Sequence, residues 1–382
     1  MGIESCKEVG VVEDQEAPIH GDILEAILSH VPLIDLVPAS YVSKSWKTAA
    51  LHNFNTTTNN KLNPWLIVHK QRARSPYHIT STHAYDPRSH VWIEIKTPIS
   101  TRHVSTLRSS YSTLLYTLSP SNLSFSSDPL HLTWHHAPPP LTWRFDPIVA
   151  AIGHCVIVAG GGCDFEDDPL AVEIYDVESR TWDHTCDSMP ANLKDSSAST
   201  WLSVATNNIK LFVTEKQSGV THTFDPDTKT WCGPFDLRPD PRICYSVIAF
   251  CYDRLILIGL IGDVDDLKGV KMWGVNCDNF ECDEIGEMPL EFVEKLKREN
   301  SGVYSIGVCA GGNMVYINNP EVAEEVIVCE LGAGGCRWGS VTNVVGVEMS
   351  RMERLVFTCS TVGIEDVEKA MRLGRRFRSL RW

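Results

Sequence analysis

The sequence predicts a mainly β protein, a propeller of repeated four-stranded units, preceded by a small unit of three helices. Three observations predict it. An Asp stands six residues before a Trp four times, and successive Asp positions lie 42, 48 and 49 residues apart. Pairs of apolar runs, each pair broken by a polar turn, precede most of these motifs. Residues 21–46, GDILEAILSHVPLIDLVPASYVSKSW, instead space their apolar residues for helices.

The bulk numbers accommodate this division. The chain has 382 residues, 43% apolar and 21% charged, enough for a small domain plus a large repeat array. The net charge of −14 argues against general binding to nucleic acid or to an anionic membrane, which needs a basic face. The first twenty residues carry neither a basic start nor an apolar core, so they do not read as a secretory signal. The longest apolar stretch, residues 243–262, is interrupted by Asp253 and Arg254 and reads as two buried strands around a tight turn. Thirteen cysteines without repeated spacing fit reduced thiols, hence the cytoplasm or nucleus.

Residues 1–18 read as a disordered tail. The helical unit is expected over 19–62. Ile23, Ile27 and Val31 stand at i, i+4 and i+8, and Leu24 and Leu28 fill the neighbouring row. Asp22 can cap this first helix and Pro32 ends it. Asp35 can cap a second helix with Leu36, Val37 and Pro38 in its first turn. Val42 and Trp46 lie one turn apart in a third. Helices this short are marginal alone, since about 12 to 15 residues are needed in water. Their apolar surplus therefore wants a partner surface.

The propeller is expected over 63–361. Its motif is AYDPRSHVW, SDPLHLTW, IYDVESRTW and TFDPDTKTW. Asp86, Asp128, Asp176 and Asp225 open turns, where a carboxylate accepts backbone N–H groups. Tyr85, Tyr175 and Phe224 end the strands before three of them. Trp92, Trp134, Trp182 and Trp231 open the next strands and bring large areas to bury. Each motif thus reads as a hairpin. Two weaker copies are Trp273 with Phe280, where Gly274 stands in place of Asp, and Glu330 with Trp338 around a Gly-rich bend. With the upstream strand pair, each hairpin makes a four-stranded unit of about 50 residues, the size of a propeller blade.

The first hairpin has one strand before it, residues 64–70, and the strand at 352–360 has no hairpin behind it. The late strand can complete the first blade and close the ring, giving six blades; seven result if 340–382 forms a degenerate blade. Residues 362–382 carry Lys369, Arg372, Arg375, Arg376, Arg378 and Arg381 and read as a basic helix or tail with solvated charges.

Sites for metal or catalysis find little support. No Gly-Lys-Ser follows Gly160, Gly161 and Gly162, so that run reads as a backbone bend. The acidic groups Asp164, Glu166, Asp167, Asp168 and Asp263, Asp265, Asp266 lack the Gly and Glu positions of an EF-hand loop. His135 and His136 have no third ligand at metal spacing, and Cys277 and Cys282 have no second pair. There is no Gly-x-Ser-x-Gly elbow. No cofactor, metal or catalytic residue is expected.

The aromatic–Asp pairs, the Trp six residues on and the Gly160-Gly161-Gly162 run resemble the kelch repeat over roughly 63–361. The series Asp22, Ile27-Leu28, Val31-Pro32, Asp35-Leu36 and Val42-Ser43-Lys44-Ser45-Trp46 resembles an F-box over about 19–52. It departs from that pattern at Ile19-His20, where the family has Leu-Pro, and at Ser43, where it has Cys. The combination is similar to plant F-box/kelch-repeat proteins. The resemblance implies a non-enzymatic substrate receptor of an SCF-type, cullin–RING ubiquitin ligase. Leu24, Ile27, Leu28, Val31, Pro32, Leu36, Val42 and Trp46 would carry the F-box and its face for a Skp-type adaptor. The propeller, with Trp338 and Gly160 among its structural residues, would bind a target protein. The alternative is a kelch scaffold with no ligase role. A secreted copper oxidase built on kelch blades would need a Tyr/His cluster that the sequence lacks.

Overall fold

The computed structural model describes residues 19, 21–55, 64–72, 74, 77–97, 102–103, 105–163, 165–193, 197–263, 265–297, 303–332, 334–347, 349–350 and 352–380. The expected tail, His20, Asp164, Arg381 and the boundary at 62/63 lie outside them. The chain divides into two compact units, Met1–Asn60 and Lys61–Trp382.

The first unit holds α1 (Asp22–Ser29), α2 (Leu33–Ala39) and α3 (Lys44–Asn55). The first two pack on the third. Gly21, at φ 64°, is the residue before α1, and Asp22 is its first helical residue rather than its cap. Pro32 likewise precedes α2, and Asp35 stands inside its first turn. Both carboxylates therefore act on the positive end of a helix rather than through a side-chain cap. Pro38 stands late in α2, not in its first turn.

The described residues of the second unit form six β-sheets, the six blades of a propeller. Blade 1 is built from both ends of the chain. Glu353–Ser360 pairs antiparallel with Trp65–Arg72, in the register Trp65↔Ser360 through Arg72↔Glu353. The strand at 352–360 thus closes the ring, and the described residues of 340–382 form no seventh blade. Beyond 361 the expected helix is present and its basic residues Lys369 and Arg372 are solvated, but the segment is packed on the propeller rather than a free tail. Helix Ile364–Arg372 buries Ile364, Val367 and Ala370. Arg376–Leu380 then pairs with Val91–Lys96 as the outermost strand of blade 1. Alternating basic residues hid this strand, because on an edge they turn to water and blunt it against further pairing.

Blades 3 to 6 each have four strands in chain order. Blade 2 has three, Leu115–Ser119, Asn122–Ser126 and His135–Ala137. Its fourth strand is reduced to one bridge, Arg108 with Tyr116, whose two backbone hydrogen bonds are both 2.8 Å.

The repeated hairpin has a definite geometry. Tyr85 faces Trp92, Tyr175 faces Trp182 and Phe224 faces Trp231 across neighbouring strands. Their ring centroids lie 5.6, 5.2 and 5.0 Å apart. Such pairs contribute about 0.5–1.5 kcal/mol beyond burial. Asp86, Asp176 and Asp225 each accept a backbone N–H two or three residues on. Four residues after each Asp the chain turns left-handed, at His90, Arg180 and Lys229, with φ of 54°, 59° and 60°. The Trp indoles of blades 3 and 4 reach back along the ring. Trp182 Nε1 donates to Pro138 O at 3.1 Å and Trp231 Nε1 to Asp187 O at 3.2 Å. Each contact ties a blade to the chain leaving the blade before it.

Two copies depart from expectation. In blade 2, Phe125 faces His135 rather than Trp134. Asp128 organises a longer loop, accepting the N–H groups of Leu130, Leu132 and Thr133 at 3.3, 2.8 and 2.7 Å. Trp134 packs instead against the cluster of Leu107, Leu115 and Val356. In blade 5 the counterpart of Asp is Asn276, not Gly274. Asn276 Oδ1 accepts the N–H of Asp278 at 2.8 Å, and Phe280, at φ 58°, takes the left-handed position four residues on. Val275 and Cys282 then occupy the aromatic and Trp positions. In blade 6, Trp338 faces Cys329 on strands that run on to Gly332 and Gly335.

The glycine run is a bend that lets two segments touch. Gly160 and Gly161 have φ of 63° and 67°. A Cβ on Gly161 would lie 2.6 Å from Pro147 N. The passing segment carries Arg144, whose guanidinium donates to Gly160 O, Ala171 O and Glu173 at 2.7, 2.8 and 2.7 Å. Both charges of this pair are buried. Removing one partner of such a pair costs about 3–5 kcal/mol.

The closing seam is polar. His131, in the blade 2 loop, is 2% exposed and hydrogen-bonds Thr358 of the closing strand through Nε2 at 3.1 Å. Its carbonyl accepts from Arg375 at 3.0 Å. Burial pushes the His131 pKa down to about 4, with Asp128 opposing and Arg375 adding to the shift. The unfolded chain therefore binds this proton first as pH falls from about 6.5. Stability contributed by neutral His131 is present above that pH and is lost on acidification towards 4. Urea unfolding of the wild type and His131→Gln should show a smaller loss between pH 7 and 4.5 in the variant, by about 2 kcal/mol. Equal losses in the two proteins would contradict this assignment.

Candidate functional site: the helical face and the propeller channel

The residues expected at an adaptor face separate into two sets. Leu24, Leu28 and Leu36 are buried, with Leu33, Ile34, Val37, Ala49 and Ala50. Val31, Pro32 and Trp46 are half-buried. Ile27 and Val42 are exposed, at 46% and 61%. Among the exposed apolar side chains outside that expected set are Ile23, part of the helical stripe in the sequence, at 68%, and Tyr41 at 70%. Ile23 and Ile27 stand one turn apart on the same row of α1. The signal for them was present in the periodicity. Two adjacent apolar rows, 23/27 and 24/28, share one short helix, and only one of them turns inward.

Innermost strands from the blades surround a cavity of about 750 Å3. Blade 1 supplies Glu353 to Phe357, blade 2 Arg108, blade 3 Asp146, blade 4 Ser203, blade 5 Tyr245 and blade 6 Val308. A second cavity of about 280 Å3 is lined by later residues of the same inner strands, such as Ile152, Thr206, Phe250 and Gly311. Tyr111 lines both, and its hydroxyl donates to Ala151 O at 2.8 Å.

The larger cavity is charged. Arg108 pairs with Asp146. Asp146 also accepts from the Ser197 hydroxyl and from Ser199 Oγ and N, the last two at 2.6 and 3.0 Å. Burial works against ionisation of Asp146, but these hydrogen bonds and Arg108 outweigh it and hold the carboxyl below its usual range. Lys216 is 8% exposed, and its ammonium donates to the carbonyls of Ser199 and Thr200 at 3.0 and 3.2 Å. Burial pushes its pKa down to about 8, with Asp146 opposing. Burial and the neighbouring Arg108 work against the charge of half-buried Arg354, and Tyr116 and Asp146 favour it. No motif announces these cations. They come from three different blades, and each is an ordinary residue in its own segment.

Several of the other candidate polar groups have structural partners. His136 Nδ1 meets Ser124 Oγ at 2.8 Å and His135 stacks on Phe125 at 5.2 Å. Asp168 accepts the N–H of Leu170, and Asp266 pairs with Lys268. Cys277 and Cys282 flank the blade 5 turn, where burial raises both thiol pKa values. Among the described residues, His154, Cys155 and Asp176 form one group of three metal-capable side chains. Asp176 there serves its turn, accepting Ser179 N at 2.6 Å, and lies 3.2 Å from His154.

The F-box domain family matches residues 21–55, the three helices. An F-box/kelch-repeat protein of Arabidopsis thaliana is 44% identical over 380 residues, covering 96% of this chain and 95% of that one. The chain belongs to the F-box/kelch-repeat proteins. A solved bacterial structure, described as a 6-phosphogluconolactonase of Bacteroides uniformis, is 12% identical, covers 78% of this chain and all of its own, and has a TM-score of 0.40. As an F-box/kelch-repeat protein, the chain has a helical unit with an exposed apolar row and a propeller with a recessed, charged channel. No described helix is long and apolar enough to cross a membrane.

The two rows of α1 should respond differently to substitution. Leu28→Ala empties a buried site and should cost about 2–5 kcal/mol of F-box stability. Ile27→Asp, on the exposed row, should cost less than about 1 kcal/mol. Chemical unfolding followed by helical circular dichroism distinguishes them, and similar losses would show that both rows are internal.

Proposed function

We propose that this F-box/kelch-repeat protein is the substrate-recognition subunit of an SCF-type, cullin–RING ubiquitin ligase in the cytoplasm or nucleus. The F-box, expected over 19–62, docks a Skp-type adaptor, and the propeller, expected over 63–361, binds a target protein. The chain itself catalyses nothing in this reading. The observation that carries it is the exposed apolar set Ile23, Ile27, Tyr41 and Val42 within the F-box match. Apolar side chains left in water on so small a unit favour burial against a partner, at about 25 cal/mol per Å2 covered. Val31, Pro32 and Trp46, half-buried, border on this role. Leu24, Leu28 and Leu36 support it from the interior.

This division decides the experiment. Leu36 has no exposure, so a charge there tests folding and not docking. Ile27→Asp with Val42→Asp leaves the interior intact. In a pull-down with a recombinant Skp-type adaptor, the full chain should recover the adaptor, and the double variant should recover at least about tenfold less, as for loss of two apolar contacts. Far-ultraviolet circular dichroism should be unchanged. Absence of the adaptor with the wild-type chain would leave a propeller scaffold without a ligase role.

A further inference from the structure

Five charged residues line the larger channel cavity: Arg108, Asp146, Lys216, Glu353 and Arg354. Both carboxylates are already engaged. Asp146 is held by Arg108 and the serines at 197 and 199. Glu353 pairs with Lys70 at 3.3 Å and accepts the N–H of Ser350 at 3.1 Å. Among the described residues, the Lys216 ammonium hydrogen-bonds only backbone carbonyls and stands over the face of Tyr245, whose centroid is 5.8 Å away. Among the described residues, no acceptor hydrogen-bonds the Arg354 guanidinium. Withdrawing a cation from water without a counter-charge is costly. Asp146 favours the charge of both Lys216 and Arg354, but it is already engaged by Arg108 and the serines, so one carboxylate serves three cations of the cavity.

We propose that this channel mouth binds a small-molecule anion, its carboxylate or phosphate group taken by the Arg354 guanidinium within the positive field of Lys216 and Arg108. A planar guanidinium offers two parallel donors to either group. The cavity volume lies within the range of small-molecule sites, about 300–1,000 Å3. Its lining also offers apolar surface for the body of a ligand, from Ile248, Ile306, Val308 and Phe357. The cations are recessed between inner strands, where a small ligand reaches them more readily than the surface of a folded protein. The net charge of −14 makes the pocket a local exception to a field that otherwise repels anions. The site needs no adaptor, so it stands or falls separately from the ligase reading.

The test uses the full chain and isothermal titration calorimetry with pyrophosphate and with citrate, at matched ionic strength. At least one probe should bind saturably, one per chain. Arg354→Gln should weaken that binding by about tenfold or more, the scale of one charge-assisted hydrogen bond. Arg337→Gln, on exposed blade 6 surface, should leave it unchanged. Without ligand, Arg354→Met should melt at a higher temperature than the wild type, because a cation kept for binding is a burden to the empty fold. Absence of saturable binding by both probes overturns the proposal, as does equal affinity in Arg354→Gln. A glutamate-rich peptide that binds more tightly than either probe and is displaced by pyrophosphate also overturns it, by assigning the pocket to an acidic segment of a protein.

Discussion

The antiparallel pairing of Glu353–Ser360 with Trp65–Arg72 is the constraint on which the propeller depends. Every other blade is assembled from neighbouring strands and can form locally. This one joins residues nearly three hundred positions apart, so chain closure must be achieved before its hydrogen bonds are gained. Without it, blade 1 presents an open edge and the ring has two free ends. The same strand forms a wall of the channel and carries Arg354 into it. Closure and the charged cavity are therefore consequences of one strand.

The seam is reinforced on both sides. On the inner side, Ser112 O accepts the N–H of Cys359 at 2.6 Å, and Ser112 Oγ accepts that of Ala310 at 2.8 Å. One residue of blade 2 thus holds the inner strands of blades 1 and 6. On the outer side, the Asp128 loop delivers His131 to Thr358. This explains why blade 2 departs from the repeat. Its loop is longer and its Trp134 turns towards Val356 because the blade serves the seam as well as itself.

What could be read from the sequence follows the range of the interactions. The hairpins of blades 1, 3 and 4 were legible because their aromatic, Asp and Trp residues act within a single turn. In blade 5 the aromatic residues point to a register two residues off, because turn chemistry and not aromatic identity decides it. Asn276 does the work of Asp, and the left-handed residue four positions on marks the register. The F-box series was legible as an order of residues, but the helical pattern alone left both rows of α1 equally apolar. The strand Arg376–Leu380 was hidden because its pairing partner, Val91–Lys96, lies far away in sequence and its own side chains look solvated.

The channel cations were the least legible feature, and the reason is geometric. A propeller brings the inner strands of all its blades to one axis, so its central site is composed of single residues separated by whole repeats. No spacing rule within a repeat can reveal it. Buried charge placed this way carries more information than charge on the rim. Rim pairs such as Arg337–Glu330 and Lys297–Glu294 sit largely in water, where they contribute little to stability and are screened by salt. Lys216 is buried and Arg354 half-buried, and the carboxylate whose field they share, Asp146, is already paired with Arg108. A ligand that carries negative charge would offset part of the cost of desolvating them.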